Sequence, residues 1–98
     1  MSTGELTRVQ IILRRREQLE RVAVRVITMT RKDLDLSQTE LGWRVVWTRN
    51  QVANLESGRK GIYLCDFVLV AEALHIPPDG LLNRIVQWKR QWSGCVSG

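Results

Sequence analysis

The chain is 98 residues long, with 44% apolar and 26% charged residues, which is the size and make-up of one globular domain. Fifteen Lys and Arg against ten Asp and Glu give a formal net charge of +5, favouring a polyanionic partner: nucleic acid first, an anionic membrane surface second. No apolar run approaches the roughly 18 residues needed to span a bilayer, and the first residues mix charge with apolar groups where an export signal needs a continuous apolar stretch. Cys65 and Cys95 form neither a disulfide framework nor a zinc pattern, and His75 is the single histidine. The expectation is two reduced thiols, with Cys65 buried in the fourth helix, no metal and no cofactor. Paired carboxylates at a working spacing, a phosphate-cradling glycine loop and a nucleophile motif are all missing from the sequence, so no enzyme is expected.

Periodicity is helical nearly throughout. In the first third, Val9, Ile12, Leu19, Val22, Val26 and Met29 recur at helical steps. The stripe is interrupted at Arg14, Arg15 and Arg16, which reads either as one long helix to Asp33 or as two with a break. The core-packing helix is expected to begin near Glu17. Residues 1–16 then form a basic helical extension, residues 17–93 the folded domain and residues 94–98 a flexible tail. Charge is concentrated here. Residues 1–33 carry eight basic groups (seven Arg and Lys32) and four acids (Glu5, Glu17, Glu20, Asp33), hence +4 of the +5.

Ser37 followed by Glu40 is a capping box, so a helix starts at Gln38. Thr48 followed by Gln51 repeats the signal and starts another at Arg49, ending at Gly58 in a left-handed stop. The intervening helix must end near Val45 or Val46. A further helix is marked by Leu64, Phe67, Val68, Ala71 and Leu74. Pro78-Asp79 opens the last, since proline suits a first helical turn and acid suits the positive end. Its stripe is Leu81, Ile85, Trp88 and Trp92, with Gly94 as its stop.

Two short helices joined by a tight turn form a helix-turn-helix. Its inward positions are Leu41, Val45, Trp47, Val52 and Leu55, with Gly42 at the closest approach. The polar residues Arg49, Asn50, Gln51 and Asn54 then fall on the outer face. Arginine can bond guanine O6 and N7 together, and asparagine can do the same with adenine N6 and N7, so this face has base-reading chemistry, although a polar outer face taken alone is more often simply solvated.

The stretch LSQTELGWRVVWTRNQVANLESG, residues 36–58, resembles the Cro and phage-repressor type helix-turn-helix family, the xenobiotic-response-element-like group. AEALHIPPDGLLN, residues 71–83, is a weaker match, and Arg31 stands six residues before Ser37 where the family usually has arginine. The resemblance covers roughly residues 19–83. It implies an all-α, compact five-helix lambda-repressor-like bundle, and double-stranded DNA as the partner. The helix over residues 49–57 would lie in the major groove. Gln38 matches the phosphate-contacting glutamine, Thr48 opens the recognition helix, and Arg49, Asn50 and Asn54 match base-facing positions. Arg59 and Lys60 match the backbone-touching loop. Arg31 and Glu56 match a structural ion pair.

The chain departs from the family pattern at three places. Val46 stands where the turn usually has glycine, Trp47 where it has a small aliphatic, and Trp43 on a face that is normally polar. The expected function is a sequence-specific transcriptional regulator of bacterial or phage type, cytoplasmic and nucleoid-associated, binding a palindromic operator as a homodimer. Leu81, Ile85, Trp88 and Trp92 are the first choice for the dimer surface and the N-terminal extension the second. Trp43 divides evenly between local packing and a protein partner. The alternative is an antitoxin that binds a toxin and represses its own operon.

Overall fold

Thr3–Asp33 form one uninterrupted helix, α1. Four more follow: α2 (Gln38–Val45), α3 (Arg49–Glu56), α4 (Leu64–Ala73) and α5 (Pro78–Ser97). The computed structural model describes the backbone of residues 3–97 and the side chains of residues 7–88. The described residues contain no strand, and the fold is an all-α five-helix bundle.

Local sequence sets the helix boundaries. The Ser37 hydroxyl accepts the Glu40 N–H at 3.0 Å while the Glu40 carboxylate accepts the Ser37 N–H at 3.1 Å, so both start-of-helix donors are satisfied. Thr48 and Gln51 repeat the exchange at 3.2 and 2.8 Å.

The helix ends share a second device, in which a residue in the left-handed region closes the last turn and the next N–H bonds back five residues. Asp35 (φ 56°), Val46 (φ 59°), Gly58 (φ 81°) and His75 (φ 58°) occupy that position after α1 to α4. The returning bonds run from Leu36 to the Arg31 carbonyl (3.1 Å), Trp47 to Gly42 (2.8 Å), Arg59 to Asn54 (3.1 Å) and Ile76 to Ala71 (3.0 Å). Only one of the four is glycine. Val46 is the most strained, because a β-branched side chain disfavours positive φ.

The core is drawn from every helix. Val22, Val26 and Ile27 come from α1, Leu41 and Val45 from α2, and Val52 and Leu55 from α3. Val70 and Ala71 of α4, Leu74 just after it, and Leu81 and Ile85 of α5 complete it, with Leu36 from the first loop. Each Val, Leu or Ile among them contributes about 1.5–3 kcal/mol relative to its exposed state, and Ala71 less.

The structure corrects several sequence expectations. Of the two readings of the first third, the single long helix is the one found, and the core contact of α1 begins at Val22 rather than near Glu17. Leu19 and Met29, counted in the stripe, are exposed. Cys65 lies in the first turn of α4 and is exposed, because that turn projects beyond the core that Val70 and Ala71 meet. Helix α5 passes through Gly94 to Ser97 instead of stopping, a continuation that a single glycine disfavours by only about 1 kcal/mol. Leu81 and Ile85 cannot form a dimer surface. They are enclosed by the chain's own core, since α5 packs on both α1 and α4. Trp88 is partly buried against that core. The side chains of Trp92 and Cys95 lie outside the described residues.

Candidate nucleic-acid interface

The α2–turn–α3 unit is held by a close approach that only glycine permits. A Cβ on Gly42 would lie 2.6 Å from the Trp47 carbonyl oxygen, well inside contact distance. Leu41, Val45, Val52 and Leu55 fill the space between the two helices and the rest of the core, as their spacing implied. Trp47 packs against the core edge, partly buried. Its ring is capped by the Lys60 ammonium, 4.1 Å from the ring centroid.

With that inner face buried, the outer face of α3 presents Arg49, Asn50 and Asn54, all exposed. Their side chains make no hydrogen bond or ion pair among the described residues. Arg59, in the loop after α3, is likewise exposed and uncommitted. The backbone carbonyl of Asn54 accepts the Arg59 N–H at 3.1 Å and the Lys60 N–H at 3.2 Å, which fixes where that loop leaves the helix.

Other residues expected at the interface are engaged inside the protein. Thr48 and Gln51 are exposed, but their side-chain oxygens already accept the capping-box hydrogen bonds at the start of α3. Gln38 donates its amide to Glu56 Oε1 at 3.0 Å and is half-buried. Lys60 stands 3.2 Å from the Asp66 carboxylate as well as over Trp47. A phosphate contact by Gln38 or Lys60 would compete with these partners.

Arg31 and Glu56 form the most deeply placed charge pair among the described residues. Arg31 Nε meets Glu56 Oε2 at 2.6 Å, one terminal nitrogen meets Oε1 at 3.0 Å, and the other donates to the Leu36 carbonyl at 2.6 Å. Both side chains are less than a tenth exposed. The pair joins the end of α1 to the end of α3, and through Gln38 to the start of α2. The angle of α3 to the body of the protein therefore depends on it.

Three interactions had no sequence signal: Lys60 on Trp47, Gln38 on Glu56, and Arg44 donating to the Ala73 carbonyl at 2.8 Å. Each joins residues more than ten positions apart, where no local pattern links them. Trp43 is 74% exposed and Val46 90% exposed, three positions apart at the end of α2. Trp43 is thus not accounted for by local packing.

No group of three or more His, Cys, Asp or Glu among the described residues could hold a metal ion. No helix among them is long and apolar enough to cross a membrane. No protein-family model matches the chain, and no curated protein or solved structure matches it.

Proposed function

We propose that the protein is a sequence-specific DNA-binding transcriptional regulator that lays α3 in the major groove. One observation carries this reading. A short helix is clamped through its apolar face by Gly42, Val52 and Leu55, while Arg49, Asn50 and Asn54 stand exposed and uncommitted on the opposite face. These side chains suit bidentate contacts with guanine and adenine. The exposed Arg59 supplies a phosphate contact beside them.

A single helix of this length buries too little surface for tight binding, so two copies on half-sites about 10 base pairs apart are the natural arrangement. With Leu81 and Ile85 committed to the core, the N-terminal half of α1 replaces them as the pairing surface. Val9, Ile11, Ile12 and Leu13 are exposed there in close succession. The same surface supports the second reading, an antitoxin that docks a toxin and represses its own operon. In either case the protein acts in the cytoplasm, on the nucleoid.

The test is selection of a preferred duplex from a random pool, followed by affinity measurements on that duplex and its single-base variants. Arg49→Ala and Asn50→Ala are each expected to lose about 1–3 kcal/mol of discrimination at one base position. If both variants bind the best duplex unchanged, α3 is not the recognition helix.

A further inference from the structure

We propose that the groove between α1 and α5 is a binding site for a small aromatic anion, a planar ring bearing a phosphate or carboxylate. The groove has a volume of about 370 Å³ and is lined by Gln18, Arg21, Val22, Arg25 and Trp88. That falls in the range of small-molecule sites, about 300–1,000 Å³.

Its chemistry is one-sided. Arg21 and Arg25 are four positions apart and so sit one helical turn apart on the same side of α1. Both are exposed, and neither makes an ion pair among the described residues. Among the described residues no acid lines the groove. The acids of this part of α1, Glu17 and Glu20, line a neighbouring cleft with Val24, Ser57 and Gly58, and Arg21 stands on the border between the two, with no ion pair to either acid among the described residues. Two guanidinium forks present a planar set of donors that matches the oxygens of a carboxylate or phosphate.

The remaining walls are apolar. Val22 is buried at the groove's inner side, and Trp88 is half-buried, with the Arg25 guanidinium 6.0 Å from its ring centroid. That distance is the outer limit of a cation–π contact, so Arg25 is held only loosely over the indole and can turn to a ligand. The indole offers a flat face for an aromatic ring. Gln18 adds an amide that can donate to or accept from a ring heteroatom. A phosphate alone would use the arginines and leave the indole idle, and a neutral ring would do the reverse. The ligand that uses both is an aromatic anion.

This inference does not depend on DNA binding, and its test needs no duplex. The full chain, labelled with ¹⁵N, is titrated while its indole N–H signals are followed, the Trp88 signal being identified by its loss in Trp88→Phe. The probes are AMP and 2-naphthoate as the phosphate and carboxylate sources, with inorganic phosphate and adenosine as controls. A saturable shift of the Trp88 signal is expected with AMP, with 2-naphthoate or with both, and the responding probe names the source. The Arg21→Gln/Arg25→Gln double variant, altered only at exposed positions, is expected to keep its melting temperature and lose at least about tenfold in affinity, as expected when charge-assisted hydrogen bonds are removed. The proposal is overturned if neither aromatic anion gives a saturable shift. It is equally overturned if adenosine or inorganic phosphate binds as well, or if the double variant binds unchanged.

Discussion

The α-carbon of Gly42 faces the carbonyl of Trp47 so closely that a methyl group there would meet the oxygen at 2.6 Å. The atom in the way is backbone, and it belongs to the turn itself, so it cannot rotate aside as a side chain would. Gly42→Ala must therefore push α2 away from the start of α3. We expect a loss of about 1–3 kcal/mol, the usual range for overpacking. For a domain of this size each kcal/mol corresponds to roughly 4–8 °C of melting temperature. Calorimetry showing an unchanged or higher midpoint would contradict the close approach.

Val46 offers the opposite experiment. It holds φ 59° with a side chain that is 90% exposed, so little packing is lost when that side chain is removed. Relief of the left-handed strain is worth about 1–2 kcal/mol, partly offset by the roughly 0.5–1 kcal/mol that glycine's unfolded-state freedom costs. Val46→Gly is expected to stabilise by up to about 1 kcal/mol, read as a higher urea midpoint at unchanged slope.

Removing Glu56 leaves the Arg31 guanidinium buried beside only the Leu36 carbonyl. Glu56→Ala is expected to destabilise by about 3–5 kcal/mol, the range for stranding one partner of a buried pair. Arg31→Met/Glu56→Leu, which removes both charges, is expected to recover most of that loss. A double-variant loss equal to the sum of the Arg31→Met and Glu56→Leu losses would show that the pair is not coupled.

Glu40 carries a pH signature. Its carboxyl is held below the ordinary value of 4.5, first by the Ser37 backbone N–H, then by the Ser37 hydroxyl, with help from the nearby Arg44 charge. A carboxyl lowered in the folded state favours folding above its unfolded value, and that contribution is lost as pH falls through the folded value. The stability difference between the native chain and Glu40→Gln is thus expected to be full above about pH 4.5 and to close at more acid pH. A gap constant from pH 7 to pH 2 would show that the carboxylate charge plays no part in the cap.

On the DNA-binding reading, Arg59 and Lys60 separate. Removing one side chain that neutralises a phosphate lowers the slope of log affinity against log salt by about 0.9. Arg59→Ala is expected to show that full change. Lys60→Ala is expected to show less, and to lose stability instead, because Lys60 already serves Asp66 and the Trp47 ring. The reverse order would mean that Lys60 leaves those partners on binding.

The parts of this fold that were legible in the sequence are those decided within a few residues. Ser37 with Glu40 and Thr48 with Gln51 placed two helix starts at Gln38 and Arg49, because the cap exchanges bonds over three positions. Val46 stood out as a poor residue for its turn for the same local reason. What spacing could not tell was which element covers an apolar face. Leu81 and Ile85 gave a clean stripe, but only the folded chain shows α1 and α4 lying over it. In α1 the stripe runs on past the core, so Leu19 is exposed while Val22, three positions further, is buried. In the candidate interface, Arg49, Asn50 and Asn54 were separable by helical phase. The competing partners of Gln38 and Lys60 were not, since Glu56 and Asp66 reach them only after folding.

The shared closure at the ends of α1 to α4 has a kinetic consequence. Its bonds return over three to five positions, and the two caps span three, so each helix can find its own limits before any distant segment arrives. Long loops need not close first, which places refolding in the microsecond-to-millisecond regime of helical bundles. The longest closure is the return of α5 onto α1, where Trp88 meets Arg25 from more than 40 positions away, and a variant destabilised at that contact reports on how late it forms.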